Sequence, residues 1–378
     1  MELKSKAFCS ASWTDINIDL SRKQIQHCCK AEFEKYTKLS HNFINNSAGI
    51  LQRREESLKG INNEQCKSCW KNYAENNSAY RELKHKDNFV VPKNADDAIS
   101  YIEIKFDNVC NLSCLYCDQN YSSTIAKEKN LKNIYKKYKD EDLDVLLEFL
   151  NNLLQNKKIF QINILGGEPT LSQGYHKLVK TLLDNHADKN IIFITTTNGI
   201  IHPNVLQTLS SYVKTKSNWQ WVWGFSGEST GKLFESIRFG SDHNIWQNNV
   251  TFFDGFDNCE IVFDPTVNLL SISDLLHYLT QINNLSKRYL IKGNWVLEPS
   301  VLSITKASKK HIPMLHKCKT QILDSKCVNK QEALNWIDQI EKMLETSDCD
   351  VKELEKFLKQ KNKEKGNALD VDYIINTL

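Results

Sequence analysis

From residue 99 onward, short apolar runs rich in β-branched and aromatic residues alternate with longer stretches whose apolar positions recur at helical spacing. The runs at residues 99–106, 160–165, 191–197, 219–225, 260–267 and 293–297 predict strands. Between them, residues 141–154, 174–185, 203–213, 273–285 and about 308–320 predict helices, and the long connection 230–256 has room for two helical pieces. Six strand–helix units in series predict parallel strands covered by helices, an α/β fold of the partial (β/α)6 TIM-barrel type. Further on, Trp336, Ile337, Ile340, Met343 and Leu344 recur at helical spacing, and Asp350 followed by Glu353 resembles a capping box opening another helix. No internal repeat or low-complexity tract interrupts the pattern.

Before residue 98 the pattern differs. Residues 1–97 are polar, rich in Asn, Lys and Glu, and carry five cysteines, at 9, 28, 29, 66 and 69. Such a segment predicts a small irregular domain that needs a metal to hold it together. The expected organisation is therefore 1–97 as a cysteine-rich domain, 98–305 as the barrel and 306–378 as a C-terminal helical extension, with residues 88–98 around Pro92 as the linker.

Composition narrows the function classes. Of 378 residues, 40% are hydrophobic and 25% charged, ordinary for a globular protein. The net charge of +3 is spread over mixed basic and acidic residues, which argues against a nucleic acid partner. Lys-rich stretches at 127–139 and 359–365 read as solvated helix faces. No apolar run approaches the ~20 residues that span a bilayer, and none of signal-peptide length follows the first residues. The expectation is a cytoplasmic protein with no membrane partner.

Cysteine changes the picture. There are twelve, at 9, 28, 29, 66, 69, 110, 114, 117, 259, 318, 327 and 349. In a reducing compartment, grouped cysteines point to metal ligation or catalysis before disulfides. The segment Cys110-Asn-Leu-Ser-Cys114-Leu-Tyr-Cys117 follows the first barrel strand directly. Three thiolates on one tight loop can ligate three irons of a [4Fe–4S] cube and leave the fourth open for chemistry. The alternative is zinc, with a fourth ligand from His202, His243 or His277. Scattered Cys259, Cys318, Cys327 and Cys349 read as core thiols, with Cys318 and Cys327 kept as further ligand or catalytic candidates.

Three more motifs close predicted strands. Gly166-Gly167-Glu168-Pro169 follows the second, and its glycines allow the backbone to approach a ligand closely. Thr195-Thr-Thr-Asn198-Gly199 ends the third, where polar residues face the usual ligand side of a parallel barrel. Ser226-Gly-Glu228-Ser229 follows the fourth, with Arg238 further on, whose fork suits a carboxylate. Asn268 and Glu298, after the fifth and sixth strands, are candidates to face a substrate.

The cysteine spacing, the aromatic Tyr116 before the third cysteine and the order of these motifs resemble the radical S-adenosylmethionine (SAM) superfamily over about residues 99–300. The resemblance implies a [4Fe–4S] cluster on Cys110, Cys114 and Cys117. It implies SAM held by Tyr116, Gly166, Gly167, Glu168, Asn198, Ser226, Glu228 and Arg238. It further implies a one-electron reductant of flavodoxin or ferredoxin type, reductive cleavage of SAM, and hydrogen abstraction from a substrate by the 5′-deoxyadenosyl radical. A clear glycine-rich motif on the fifth strand is missing, so the resemblance assigns no adenine contacts.

Cys9, the Cys28-Cys29 pair and Cys66-x2-Cys69 supply four ligands and a spare. This set resembles the SPASM/twitch auxiliary-cluster modules of radical SAM enzymes, placed here before the barrel instead of after it. A second cluster, a structural zinc knuckle and unligated thiols compete as readings. Members with such modules often modify peptides, so a peptide or protein is the expected substrate. A small metabolite or nucleotide, or a non-catalytic iron–sulfur protein, are the alternatives.

Overall fold

β-Branched and aromatic side chains crowd the first five predicted strands, which form close to the predicted positions, whereas the last strand of the main sheet lies at Tyr289–Ile291, before the predicted run 293–297, which gives only the short strand Asn294–Trp295. The computed structural model describes residues 7–28, 30–70, 89–92, 94–131, 137–157, 159–344 and 351–377. In chain order the strands are β1 (Asp15–Asp19), β2 (Gln24–Gln26), β3 (Glu34–Lys35), β4 (Tyr101–Lys105), β5 (Ile159–Leu165), β6 (Asn190–Thr197), β7 (Gln220–Ser226), β8 (Cys259–Asp264), β9 (Thr266–Val267), β10 (Tyr289–Ile291) and β11 (Asn294–Trp295). Nine of them make one open sheet in the order β10-β8-β7-β6-β5-β4-β1-β2-β3, and β9 and β11 pair separately. Strands β4 to β10 in this sheet run parallel in sequence order, as a partial barrel requires. The run predicted at 260–267 is broken by Pro265, which lacks the N–H a ladder needs, into β8 and β9.

Helices Asp140–Gln155, Gln173–His186, Pro203–Lys214, Leu275–Leu285 and Ile312–Asp324 stand where helical spacing put them. The long fourth connection does hold two pieces, Gly231–Ile237 and His243–Asp254. Asp242 opens the second by accepting from Asn244 N at 2.8 Å and Ile245 N at 3.1 Å. The C-terminal segment is helical at Lys330–Leu344, Val351–Glu364 and Val371–Asn376. Asp350, and with it the expected capping box, lies outside the described residues, as does Cys349.

The N-terminal segment is not irregular throughout. β1 lies parallel to β4, with Asp15 opposite Tyr101 and Asp19 opposite Lys105, so it extends the barrel sheet. The alternation explains this. Ile16 and Ile18 join Ile102 and Ile104 in the core, while Asp15, Asn17 and Asp19 share the other face with Tyr101, Glu103 and Lys105. That face is polar on β5 as well, where Asn163 donates to Tyr101 Oη at 3.0 Å and to Glu103 Oε2 at 3.2 Å.

Candidate functional site

Register gathers the motifs. Lys105 pairs with Leu165, Thr197 with Phe225, and Ser226 with Asp264, so the carboxyl ends of β4 to β8 share one edge. The loops leaving that edge line one cleft. Its walls include Cys110, Cys114, Tyr116, Cys117, Gly166, Gly167, Thr196, Thr197, Asn198, Ser226 and Arg238.

The cysteine loop is held from three sides. Its backbone pairs with the end of the helix Gly231–Ile237 and the residues after it, with Leu115 N donating to Ile237 O at 2.9 Å and Ser113 N to Phe239 O at 2.8 Å. Thr124 Oγ1, on the short helix Ser123–Glu128, donates to Cys110 O at 2.7 Å. Asn198 Nδ2 donates to Asn111 Oδ1 at 2.8 Å and lies 3.8 Å from Cys110 Sγ. The glycine loop docks on the same segment, with Glu168 N donating to Val109 O. A Cβ on Gly167 would fall 2.2 Å from Val109 O, so only glycine fits that approach. Gly199 is likewise fixed, at φ +77° with Trp246 2.5 Å from where its Cβ would be.

Glu168 does a different job from the one expected. It is 1% exposed and forms no part of the cleft wall. Its carboxylate accepts from Thr170 Oγ1 at 2.7 Å, Thr197 Oγ1 at 2.9 Å and Asn198 N at 2.7 Å. It ties the β5 loop to the β6 loop, and burial raises its pKa against those bonds. Glu228 is also withdrawn. Fully buried, it accepts from Arg238 Nη2 at 2.5 Å and Nε at 3.1 Å, and from Tyr116 Oη at 3.3 Å. Burial works against the Arg238 charge, but Glu228 beside it holds the guanidinium pKa well above its usual value. Of this trio, Tyr116 and Arg238 reach the cleft.

Other candidates lie elsewhere. Asn268 caps its own turn, accepting from Leu270 N at 3.0 Å and Ser271 N at 3.2 Å, and Glu298 is exposed to solvent away from the cleft wall. His202, His243 and His277 line no part of the cleft. Gly231 N donates to His243 Nδ1, and His277 pairs with Asp274. No described histidine therefore completes a zinc site on the loop. Cys318 is a core thiol beside Met314, and Cys327 bonds Asn329. The sequence reading missed Lys105, Tyr121 and Thr266, which also line the cleft. The alternation of Tyr101, Glu103 and Lys105 along β4 was the available signal.

The donor chemistry fits a cluster. Among the described residues no three His, Cys, Asp or Glu side chains converge closely enough for one metal ion. A cube takes one thiolate per iron and so needs the sulfurs spread around it, unlike a tetrahedral zinc with ligands at ~2.3 Å. Burial pushes the Cys110 and Cys114 thiols up and Cys117 to about 12. Iron must therefore displace their protons on binding.

A second cavity is lined by Cys9, Cys28, Cys66 and Cys69, together with Arg53, Ser57 and Asn63. Cys9 N donates to Ser57 Oγ at 3.2 Å, and Cys66 N to Asn63 O at 3.0 Å. Desolvation raises the Cys9 thiol to about 11, with Cys66 and Cys69 near enough to add to the effect. Cys29 lies outside the described residues.

Residues 104–216 match the family model described as the Radical SAM superfamily. An uncharacterized protein of Methanocaldococcus jannaschii is 30% identical over 106 residues, 28% of this chain and 32% of that protein. The chain thus matches about a third of the length of this curated relative. Streptococcus suis SuiB bound to S-adenosylmethionine is 14% identical with a TM-score of 0.42, covering 84% of this chain and 69% of SuiB. SuiB bound to the precursor peptide SuiA is 15% identical with a TM-score of 0.40, covering 71% of this chain and 63% of SuiB.

Proposed function

We propose that this chain is an enzyme that binds SAM against a [4Fe–4S] cluster on Cys110, Cys114 and Cys117 and abstracts hydrogen from a peptide or protein. The observation that carries this reading is the single cleft where those thiols meet the Gly166-Gly167 backbone, Asn198, Ser226 and Arg238. When bound, the cluster supplies one electron to the sulfonium of SAM and so yields methionine and a 5′-deoxyadenosyl radical. The chain's own residues do the rest. The glycine backbone offers N–H and C=O groups to an amino acid moiety. Ser226 offers a hydroxyl to a ribose. Arg238, fixed by Glu228, puts positive charge on the wall where a ligand carboxylate would lie.

In the same reading, residues 1–97 form a twitch/SPASM-like module whose Cys9, Cys28, Cys66 and Cys69 hold a second [4Fe–4S] cluster. Residues 98–305 are the barrel, and residues 306–378 cover it. The electron comes from a flavodoxin- or ferredoxin-type reductant in the cytoplasm. A peptide is favoured because radical SAM enzymes with such modules often act on peptides.

The test is anaerobic. The protein is reconstituted with iron and sulfide, reduced, given SAM, and assayed for 5′-deoxyadenosine. Product from the parent and none from Cys114→Ala is expected, and cleavage retained in that variant would sink the assignment. Cys66→Ala should keep some cleavage while losing about four irons per chain.

A further inference from the structure

The helix Ala48–Lys59 buries Ile50, Arg53, Arg54 and Ser57 on one face. Two adjacent buried arginines need partners, because an unpaired charge in the interior is strongly destabilising. Arg54 has them. Its guanidinium donates to Ser12 O at 2.8 Å, Asn45 O at 2.9 Å and Asn45 Oδ1 at 2.7 Å, and reaches His27 Nδ1 at 3.3 Å.

Arg53 has them only in part. It is 1% exposed. Its Nε and Nη2 both go to one neutral acceptor, Gln65 Oε1, at 3.1 and 2.6 Å. Nη2 also forms a long ion pair with Glu34 Oε1, at 4.0 Å. Nη1 is buried with no hydrogen-bond partner among the described residues. This same side chain lines the cavity shared by Cys9, Cys28, Cys66 and Cys69.

We propose that Arg53 is the counter-cation of the four-cysteine site, its free Nη1 N–H aimed at a cysteine sulfur or cluster sulfide. The proposal rests on the reading that this site holds a [4Fe–4S] cluster. Four thiolates around such a core carry net negative charge, and one more electron adds to it. A fixed guanidinium a hydrogen bond away offsets the buried charge. It favours the reduced state over the oxidised one, and so raises the potential at which the site accepts an electron. Arg53 is thus a positioning residue with an electrostatic role; it touches no substrate. Gln65 orients it, and the neighbouring Cys66 ties that orientation to the ligand loop.

The experiment uses the full chain carrying Cys110→Ala, Cys114→Ala and Cys117→Ala, so that only the N-terminal site can hold a cluster. The protein is reconstituted with iron and sulfide, its iron, sulfide and zinc are counted, and its midpoint potential is measured by an anaerobic redox titration followed by electron paramagnetic resonance. At equal iron content, Arg53→Gln should titrate at a more negative potential than its parent, with Arg53→Lys restoring most of the difference. Equal potentials for Arg53→Gln and the parent would overturn the proposal. If Arg53→Gln loses the cluster, retention by Arg53→Lys supports the need for charge, whereas loss in both marks a packing role and overturns it. Zinc without iron in the parent would instead sink the cluster reading itself.

Discussion

Lys365 Nζ donates to the carbonyl oxygen of Ser113 at 2.7 Å, across 252 positions of sequence. The same ammonium reaches Ser113 Oγ, pairs with Glu128 Oε2 at 3.3 Å and sits 4.7 Å from the centre of the Phe239 ring. Ser113 immediately precedes Cys114, so the C-terminal segment is pinned to the back of the cysteine loop. Burial pulls the Lys365 pKa below its usual value, with Glu128 opposing. Lys365→Met would strand the Ser113 carbonyl, at a cost of about 1–3 kcal/mol if left unsatisfied, while Glu128 keeps Ser113 Oγ as a donor. The expected result is a lower denaturation midpoint and faster loss of barrel iron to a chelator. Unchanged iron retention would remove the link between this contact and the loop.

Gly167→Ala should displace the cysteine loop. The new Cβ would lie 2.2 Å from the backbone oxygen of Val109, with no flexible side chain able to yield. Iron content measured with the N-terminal cysteines replaced should fall well below that of the same chain with Gly167 intact. Full occupancy would show that the two loops can separate without loss.

The Glu228–Arg238 pair invites a double-mutant cycle. Arg238→Met alone leaves a fully buried carboxylate facing Tyr116, and should cost about 3–5 kcal/mol. Adding Glu228→Leu removes the stranded charge and should recover most of that loss. Urea unfolding of the four proteins measures it. Additive effects would mean that the two side chains do not act as a unit.

His27 makes the N-terminal segment sensitive to acid. It is fully buried, and burial, assisted by Arg54, depresses its pKa to about 3. The imidazole is neutral when folded, while the unfolded chain takes up a proton near pH ~6.5. A folded pKa below the unfolded one means that stability is full above about 6.5 and falls as pH drops from there toward 3, by about 1.4 kcal/mol per unit. Unfolding followed through this segment at pH 7, 6 and 5 should show that slope, and His27→Gln should flatten it. An equal slope in the variant would place the sensitivity elsewhere.

The parts of the site legible in the sequence were those carried by short-range spacing. Cys110, Cys114 and Cys117, the Gly166-Gly167 pair, Asn198 and Ser226 each follow a strand whose alternation marks its end. Parallel register then brings those ends together. Glu168 and Glu228 were expected to face SAM because the family resemblance implied it. In the fold, Thr197 and Arg238 reach them first. β1 escaped notice because Asp15, Asn17 and Asp19 make the alternation read as polar, although Ile16 and Ile18 complete it.

The sequence by itself determined the barrel, the cysteine loop and the motifs that close its strands, because periods of 2 and 3.6 and tight cysteine spacing are local properties. Only the tertiary structure decided what happens to charge. Lys365 sits in the stretch 359–365 that reads as a solvated face, and Arg53 in a polar segment, yet both are buried beside cysteine sites. Whether a charged side chain meets water or a thiol depends on which distant segment packs over it, and spacing along the chain carries no record of that contact.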